Sequence, residues 1–276
     1  MNRPPAFYKL RASARFCGFA LGLICVGTGI PSCRAQDARK IIEEVYDQDK
    51  SRDITWWATL DTYGKEGHSP QRKKFDFSRI GPPGHSKTLI RFTDPPEVRG
   101  VALLSINHNG ESIKQWLYTP AIERVRPIAP RDRSERFVGS DFTYEDIAER
   151  VVDDFTYRIL NDGETIDGHK TYKIEATPAS SDRSQYKVLY LWVAQDVPCI
   201  LRAEMYDPTG REVRVLHATG LKKVSGMWGA RHLEITSPVE NTRTVLTIDG
   251  VRVNTGLRED LFTPEALEKA PPPKGH

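Results

Sequence analysis

Three carboxylates close together in the middle of the chain could do acid–base chemistry. Asp141, Glu145 and Asp146 follow one another closely, and paired carboxylates supply the general acid and base of many glycan hydrolases. Their spacing fits a helix start better, because Thr143 and Asp146 have the hydroxyl-x-x-acid pattern of a capping box. We therefore predict that a short helix begins here, capped by Asp141, Thr143 and Asp146.

The other reactive side chains form no catalytic pattern. The histidines are scattered without a His-Glu-x-x-His motif. Gly139-Ser140-Asp141 lacks the second glycine of a nucleophile elbow, and phosphate-cradling glycine loops are missing. Cys199 fits a buried thiol better than a nucleophile. The sequence therefore predicts neither a metal nor a cofactor, and a non-enzymatic protein.

The first 35 residues have the composition of a secretory signal peptide. They carry five basic side chains and no acidic one, and the apolar run from 16 to 30 is fifteen residues long. That run is shorter than the roughly 20 residues that a membrane-spanning helix needs. Cleavage after Ala35 is the favoured interpretation. Lipidation of Cys33 is the alternative, because Ile30-Pro31-Ser32-Cys33 resembles a bacterial lipobox.

Removal of the signal changes the charge balance of the chain. The whole sequence has 40 basic and 37 acidic residues, whereas 35 basic residues remain without the signal. The remaining chain has no overall field that would attract nucleic acid or an anionic membrane. Cys17, Cys25 and Cys33 leave with the signal, so Cys199 has no partner for an intrachain disulfide.

The remaining chain, about 240 residues, has a length that a single all-β domain can reach. Asp37 can cap a helix, because the residues after it have the three- and four-residue apolar spacing of an amphipathic helix. From Ile54 onward the period changes to two, in about eleven runs separated by turn signals. These signals include Asp162-Gly163, Asp207-Pro208-Thr209-Gly210 and Asp249-Gly250, and they favour antiparallel hairpins.

The end of the chain predicts one more helix. Thr263-Pro264-Glu265 supplies a cap, a proline at the first helical position and an early acid. Residues 271–276 are then expected to form a flexible tail. The predicted fold class is mainly β with short helices (α+β), with an antiparallel curved sheet in a single domain over residues 36–270.

Large apolar side chains occur on both faces of the predicted sheet. In the run 185–194, Tyr190 and Trp192 lie on one side while Leu189 and Leu191 lie on the other. Both faces therefore need cover. A wide twisted sheet either splits into a packed sandwich or curls into an open barrel. A barrel with helices across its mouth would leave an apolar hollow for a ligand, and composition alone does not decide between the two.

Three segments have a family-specific order and spacing. They are Phe92-Thr93-Asp94-Pro95-Pro96-Glu97-Val98-Arg99-Gly100, Trp116-Leu117-Tyr118-Thr119-Pro120-Ala121 with Arg124 and Arg126 beyond it, and Gly139-Ser140-Asp141-Phe142-Thr143-Tyr144-Glu145-Asp146. Together they resemble the bacterial outer-membrane lipoprotein-sorting proteins of the LolA-like superfamily. The resemblance implies a half-open antiparallel barrel with a helical lid over an apolar cavity. It also implies carriage of acyl chains through the periplasm, not catalysis.

The resemblance leads to a set of expected contacts. Six aromatic residues are candidates for the cavity wall or its rim: Trp116, Tyr118, Phe137, Phe142, Trp56 and Trp192. Arg124 or Arg126 is expected to meet a head group or a partner's acidic surface. The expected cargo is the acyl chain of a lipoprotein or lipid, bound by a monomer.

Two other functions stay open. One is an interaction subunit that docks on an inner-membrane lipid exporter through its strand edges. The other is an envelope hydrolase that uses the carboxylates of Asp141, Glu145 and Asp146.

Overall fold

The computed structural model describes residues 32–64, 69–108 and 111–269. The predicted tail and nearly all of the predicted signal peptide lie outside these ranges. Within them the protein is mainly β, with one antiparallel sheet of thirteen strands that does not close. The predicted antiparallel half-barrel is confirmed. The expected number of about eleven strands is too low.

The elements are given in chain order. The helices are α1 (Ser32–Asp47), α2 (Tyr144–Ile147) and α3 (Pro264–Lys269). The strands are β1 (Asp53–Tyr63), β2 (Gln71–Ile80), β3 (Lys87–Asp94), β4 (Ala102–Ile106), β5 (Lys114–Thr119), β6 (Arg124–Pro127), β7 (Phe155–Ile166), β8 (His169–Pro178), β9 (Val188–Ala194), β10 (Ile200–Tyr206), β11 (Glu212–Val224), β12 (Met227–Ser237) and β13 (Thr242–Val253). No helix in the described ranges is both long and apolar enough to cross a membrane.

The strand order leaves one long crossover. Strands β1 to β6 and β7 to β13 each follow one another in the sheet, and β1 pairs with β13 to join the two halves. Strands β6 and β7 are consecutive in the chain but form opposite edges of the sheet. Residues 128–154, which we call the lid segment, must therefore pass from one edge to the other.

Tight turns and bulges shape the strands. Asp167-Gly168 and Ser225-Gly226 both have positive φ angles, which is the requirement of a two-residue type I′ hairpin. The predicted turn at 207–210 is also present, where the Gly210 N–H donates to the Asp207 carbonyl at 2.9 Å. The predictions of turns at 162–163 and 249–250 are wrong. These residues lie within β7 and β13 at shifts of register, where an extra residue makes a bulge.

Helix α1 covers part of one face of the sheet, which we call the inner face. Ala38 and Ile42 pack there against Phe155, Tyr157 and Ile174. The four-residue spacing of Ala38 and Ile42 brings them onto one side of the helix, as the sequence predicts. The helix begins at Ser32, so Asp37 lies inside it and does not cap it. The lid segment covers the neighbouring part of the inner face.

The opposite, outer face is covered over β3 to β5 by the end of the chain. Phe262 and Leu267 are fully buried against Ala102 and Leu104. The Thr263 hydroxyl accepts the Ala266 N–H at 3.2 Å, so the predicted cap and the short helix α3 are both present. Apolar side chains are thus covered on both faces of this half of the sheet.

Candidate functional site

Asp141 fastens the lid segment to the middle of the sheet. Its carboxylate is 1% exposed and accepts hydrogen bonds from Thr242 Oγ1 at 2.5 Å, Thr244 Oγ1 at 2.7 Å and Arg136 Nη2 at 2.9 Å. The prediction that Asp141 caps the short helix is therefore wrong. Charge-assisted hydrogen bonds to two residues of β13 make it an anchor instead.

Thr143 and Asp146 form the predicted capping box of α2. The Asp146 N–H donates to Thr143 Oγ1 at 3.2 Å, and the Thr143 N–H donates to the Asp146 carboxylate at 2.9 Å. The same carboxylate accepts the Tyr186 hydroxyl at 2.7 Å and lies 3.7 Å from Nε of Arg214. The helix start is thereby tied to the β9 side of the sheet and to β11.

Two further acidic side chains, Glu145 and Glu149, hold the lid segment against neighbouring loops. Glu145 accepts the Gln185 N–H at 2.8 Å and the Ser184 hydroxyl. Burial raises the pKa of Glu145, although these two hydrogen bonds act in the opposite direction. Glu149 accepts the Gly84 N–H at 2.8 Å, in the loop between β2 and β3. The acids that could have formed a catalytic pair thus accept structural hydrogen bonds.

A large cavity remains on the inner face beyond the end of α2. Its volume is about 630 Å³, which lies in the range of small-molecule sites. Val45 and Tyr46 at the end of α1 line it, as do Trp56, Phe77 and Ile147. Three residues of the β11–β12 hairpin that also line it are exposed, so the cavity opens to solvent there: Lys222, Gly229 and Arg231.

A smaller cavity of about 150 Å³ lies beneath the lid segment. Phe137 and Phe142 of the lid segment contribute to its wall, which is almost wholly apolar. The two cavities share three lining residues, Trp56, Phe77 and Ile147. The two cavities therefore lie side by side on the inner face, from beneath the lid segment to the β11–β12 hairpin.

The structure separates the six predicted aromatic contacts into two groups. Trp56, Phe137 and Phe142 border the smaller cavity. Trp116 and Tyr118 pack on the outer face with Phe262 and Leu267, so they line neither cavity.

Trp192 also lines neither cavity. Its indole N–H donates to Glu164 at 2.6 Å, and the Lys173 ammonium lies 4.4 Å from the centre of its ring. Its neighbours in the strand, Leu191 and Val193, pack on the inner face with α1, so Trp192 belongs to the outer face.

The two predicted arginines lie on the edge strand β6 and are exposed. Arg126 is also close to the hydroxyl of buried Tyr144, where its charge counteracts the effect of burial, which raises the pKa of Tyr144. Both side chains are accessible to a head group or to a partner.

Sequence analysis missed one buried cation near the lid segment. Lys73 on β2 is 8% exposed, and burial together with nearby Arg136 lowers its pKa. Its side chain lies on the same face as Phe75 and Phe77, two positions and four positions further along the strand. The sequence does contain a signal for this residue. Lys73 stands in line with Phe75 and Phe77 in the alternation, at a position where an apolar residue is expected.

The described residues contain no group of three His, Cys, Asp or Glu side chains that could hold a metal ion. Cys199 is buried and free, and burial raises the pKa of its thiol to about 11. The thiolate needed for nucleophilic attack is therefore disfavoured at neutral pH. The site is defined by its apolar cavities and not by reactive groups.

Three solved structures have the same half-barrel fold. An outer membrane lipoprotein-sorting protein domain from Vibrio parahaemolyticus has 27% identity and a TM-score of 0.78, over 85% of this chain and 99% of that chain. A DUF1329 family protein from Desulfovibrio piger has 26% identity and a TM-score of 0.80, with the same coverage of 85% and 99%. A LolA superfamily protein from Nitrosomonas europaea has 18% identity and a TM-score of 0.66, over 83% and 97%.

These similarities define the class of protein as a LolA-like half-barrel, and the predicted resemblance is confirmed. The chain belongs to the family of uncharacterized proteins whose family model matches residues 84–269. A search of the curated proteins gave no match.

Proposed function

We propose that this protein is a periplasmic carrier that binds acyl chains of lipids or lipoproteins in its inner-face cavities and moves them toward the outer membrane. The single observation that carries the proposal is the pair of adjacent, largely apolar cavities, about 630 Å³ and about 150 Å³ in volume. The similarity to the lipoprotein-sorting domain of Vibrio parahaemolyticus supports the same role.

The cavities offer the kind of surface that an acyl chain needs. Each CH₂ group removed from water contributes about 0.8 kcal/mol, so a chain of ~16 carbons offers on the order of 10 kcal/mol before the costs of ordering. Trp56, Phe77 and Ile147 supply apolar surface where the two cavities meet. Such binding needs little polar chemistry and no reaction.

In this proposal the lid segment is the gate of the carrier. Hydrogen bonds and ion pairs of its acidic side chains fasten it to the rest of the protein: Asp141, Glu145, Asp146 and Glu149. Its side chains Phe137 and Phe142 pack against the sheet and border the smaller cavity. Opening would exchange those polar contacts for contacts with water. Exposed Arg124 and Arg126 at the neighbouring edge remain our candidates for contact with a head group or an inner-membrane exporter.

A substitution at the mouth of the larger cavity tests the proposal. Gly229 lines the cavity, and a Cβ atom there would meet no atom within 4 Å. Gly229→Phe therefore places a ring in the cavity without a clash. We expect it to weaken uptake of the neutral apolar dye N-phenyl-1-naphthylamine about 10-fold, a change of ~1.4 kcal/mol, measured by fluorescence titration.

Gly64→Phe is the matched control for this experiment. Gly64 also has no atom within 4 Å of a Cβ position, and it lines neither cavity. Dye uptake by this variant should equal that of the unsubstituted protein. If the unsubstituted protein neither binds the dye nor carries lipid in native mass spectrometry, the carrier function is refuted.

A further inference from the structure

The larger cavity has charged side chains in its lining, and most of them already have partners. Asp49 and Arg79 form an ion pair of 2.7 Å. Glu149 accepts hydrogen bonds from the β2–β3 loop. Asp249 accepts the hydroxyl of Thr59 at 2.9 Å, which directs its carboxylate to the outer face, where the side chain of Thr59 lies.

Lys222 and Arg231 differ from these groups. Both line the cavity and are exposed, and neither side chain has an ion pair or hydrogen bond with any part of the chain that the structure describes. They belong to neighbouring strands. Lys222 of β11 is opposite Gly229 of β12, and Arg231 lies two residues after Gly229 on β12. Residues in this diagonal relation are about 7–8 Å apart, within reach of one common group for long side chains.

The residues between the two cations leave room for such a group. Gly229, opposite Lys222 and two positions before Arg231, has open space at its Cβ position. A small acidic group could therefore approach both cations without displacing protein atoms. Its attraction to the two cations would act at the solvent-exposed mouth of the cavity, so salt would weaken it.

We propose that the cavity selects an anionic amphiphile, whose acidic head group is bound by Lys222 and Arg231 while its hydrocarbon chain lies along Trp56 and Phe77 toward Ile147. This inference rests on the proposed carrier function and adds the charge of the ligand to it. The acidic group is a carboxylate or a phosphate, since both accept hydrogen bonds from ammonium and guanidinium groups.

Three ligands with the same 16-carbon acyl chain test the charge selectivity. The probes are palmitate, 1-palmitoyl lysophosphatidate and neutral 1-monopalmitoylglycerol, each used to displace N-phenyl-1-naphthylamine. We expect at least one anionic probe to bind about 10-fold or more tightly than the neutral one. The anionic probe that binds more tightly identifies the acidic group as a carboxylate or a phosphate. Added salt should weaken the binding of the anionic probes more than the binding of the neutral probe.

The double variant Lys222→Gln/Arg231→Gln should remove this preference. Binding of the anionic probes should weaken about 10-fold or more, and binding of 1-monopalmitoylglycerol should change less than about 2-fold. The neutral probe thus reports that the variant is folded and its cavity intact. Lys223→Gln is the matched control, because the Lys223 ammonium lies over the ring of Trp228, 5.9 Å from its centre, and it does not line the cavity.

The outcomes separate the two proposals. If the dye and all three probes fail to bind the unsubstituted protein, the carrier function fails. If the dye binds but the three probes bind equally well, or the double variant keeps its preference for anions, only the head-group assignment is overturned.

Discussion

The inner face has a packed region and an open region, and Trp56 lies between them. On the packed side the Phe137 ring of the lid segment lies 5.6 Å from Phe92 and 5.8 Å from Tyr144, centre to centre. On the open side the Trp56 ring stacks on Phe77 at 4.5 Å, and the larger cavity begins there. The same face therefore has a core of its own in one region and empty space in the other.

The difference follows from the length of the covering elements. The lid segment inserts Phe137 and Tyr144 into the space above β2 to β5, but α2 ends at Ile147 after a single turn. Helix α1 approaches from the other side and ends at Asp47. Between these two ends no helix of the described residues covers β1, β13 and the β11–β12 hairpin. The cavity exists because two covering elements stop short, not because the sheet lacks apolar side chains.

The largest effect is expected from Phe137→Ala, which empties the packed region. Phe137 is 1% exposed, and truncation of a buried phenylalanine lowers the free energy of unfolding by about 3–5 kcal/mol. Urea denaturation measures the change. Ile122→Ala, at a side chain that is 64% exposed, should change stability by less than about 0.5 kcal/mol. A loss as small as the control's would mean that the lid segment does not plug this region.

A medium effect is expected from Asp141→Asn, which weakens the anchor that holds the lid segment beside both regions. The amide loses the charge that Arg136 pairs with and presents a donor toward Thr242 or Thr244. We expect a loss of about 2 kcal/mol in the free energy of unfolding. Hydrogen exchange should also become faster at the amides of 137–147.

The control for this change is Asp162→Asn, at an exposed position of β7. It removes the same charge from the protein without touching the lid segment. Equal exchange rates at 137–147 in Asp141→Asn and in the control would show that the polar anchors do not hold the lid segment closed.

The smallest effect on stability is expected from Trp56→Ala, at the boundary of the open region. Trp56 is half-buried, so its removal should cost about 1–2 kcal/mol. Dye affinity should fall as well, because the ring lines both cavities. Trp57→Ala is the matched control. Its ring covers Gly250 from the other face of the sheet, so dye binding should be unaffected.

The sequence predicted the main architecture and two helix caps correctly, for physical reasons that are local. Alternation of apolar and polar residues indicates strands, and the hydroxyl-x-x-acid pattern of Thr143 and Asp146 specifies a helix start through contacts within four residues. Strand β2 gives a weak signal in the sequence, because Lys73 and Arg79 occupy inward positions and interrupt that alternation.

The aromatic contacts could be predicted only in part. Alternation shows that Trp116 and Leu117 face opposite ways, but both faces of this half of the sheet are covered. Helix α3, far along the chain, covers the outer face, and the lid segment covers the inner face. This choice depends on tertiary packing. The role of Asp141 was likewise invisible, because its partners Thr242 and Thr244 are about a hundred positions away.

Among the described residues the unclosed sheet has two edge strands, β6 and β7, and each resists self-association differently. Strand β6 is four residues long, carries Arg124 and Arg126, and ends in Pro127, which has no N–H to donate. Strand β7 is long, but its register shifts twice between Ile159 and Glu164, which bends its outer edge away from a straight template. A second molecule would thus find no flat strand to extend, and an open half-barrel can stay free of fibril-like stacking.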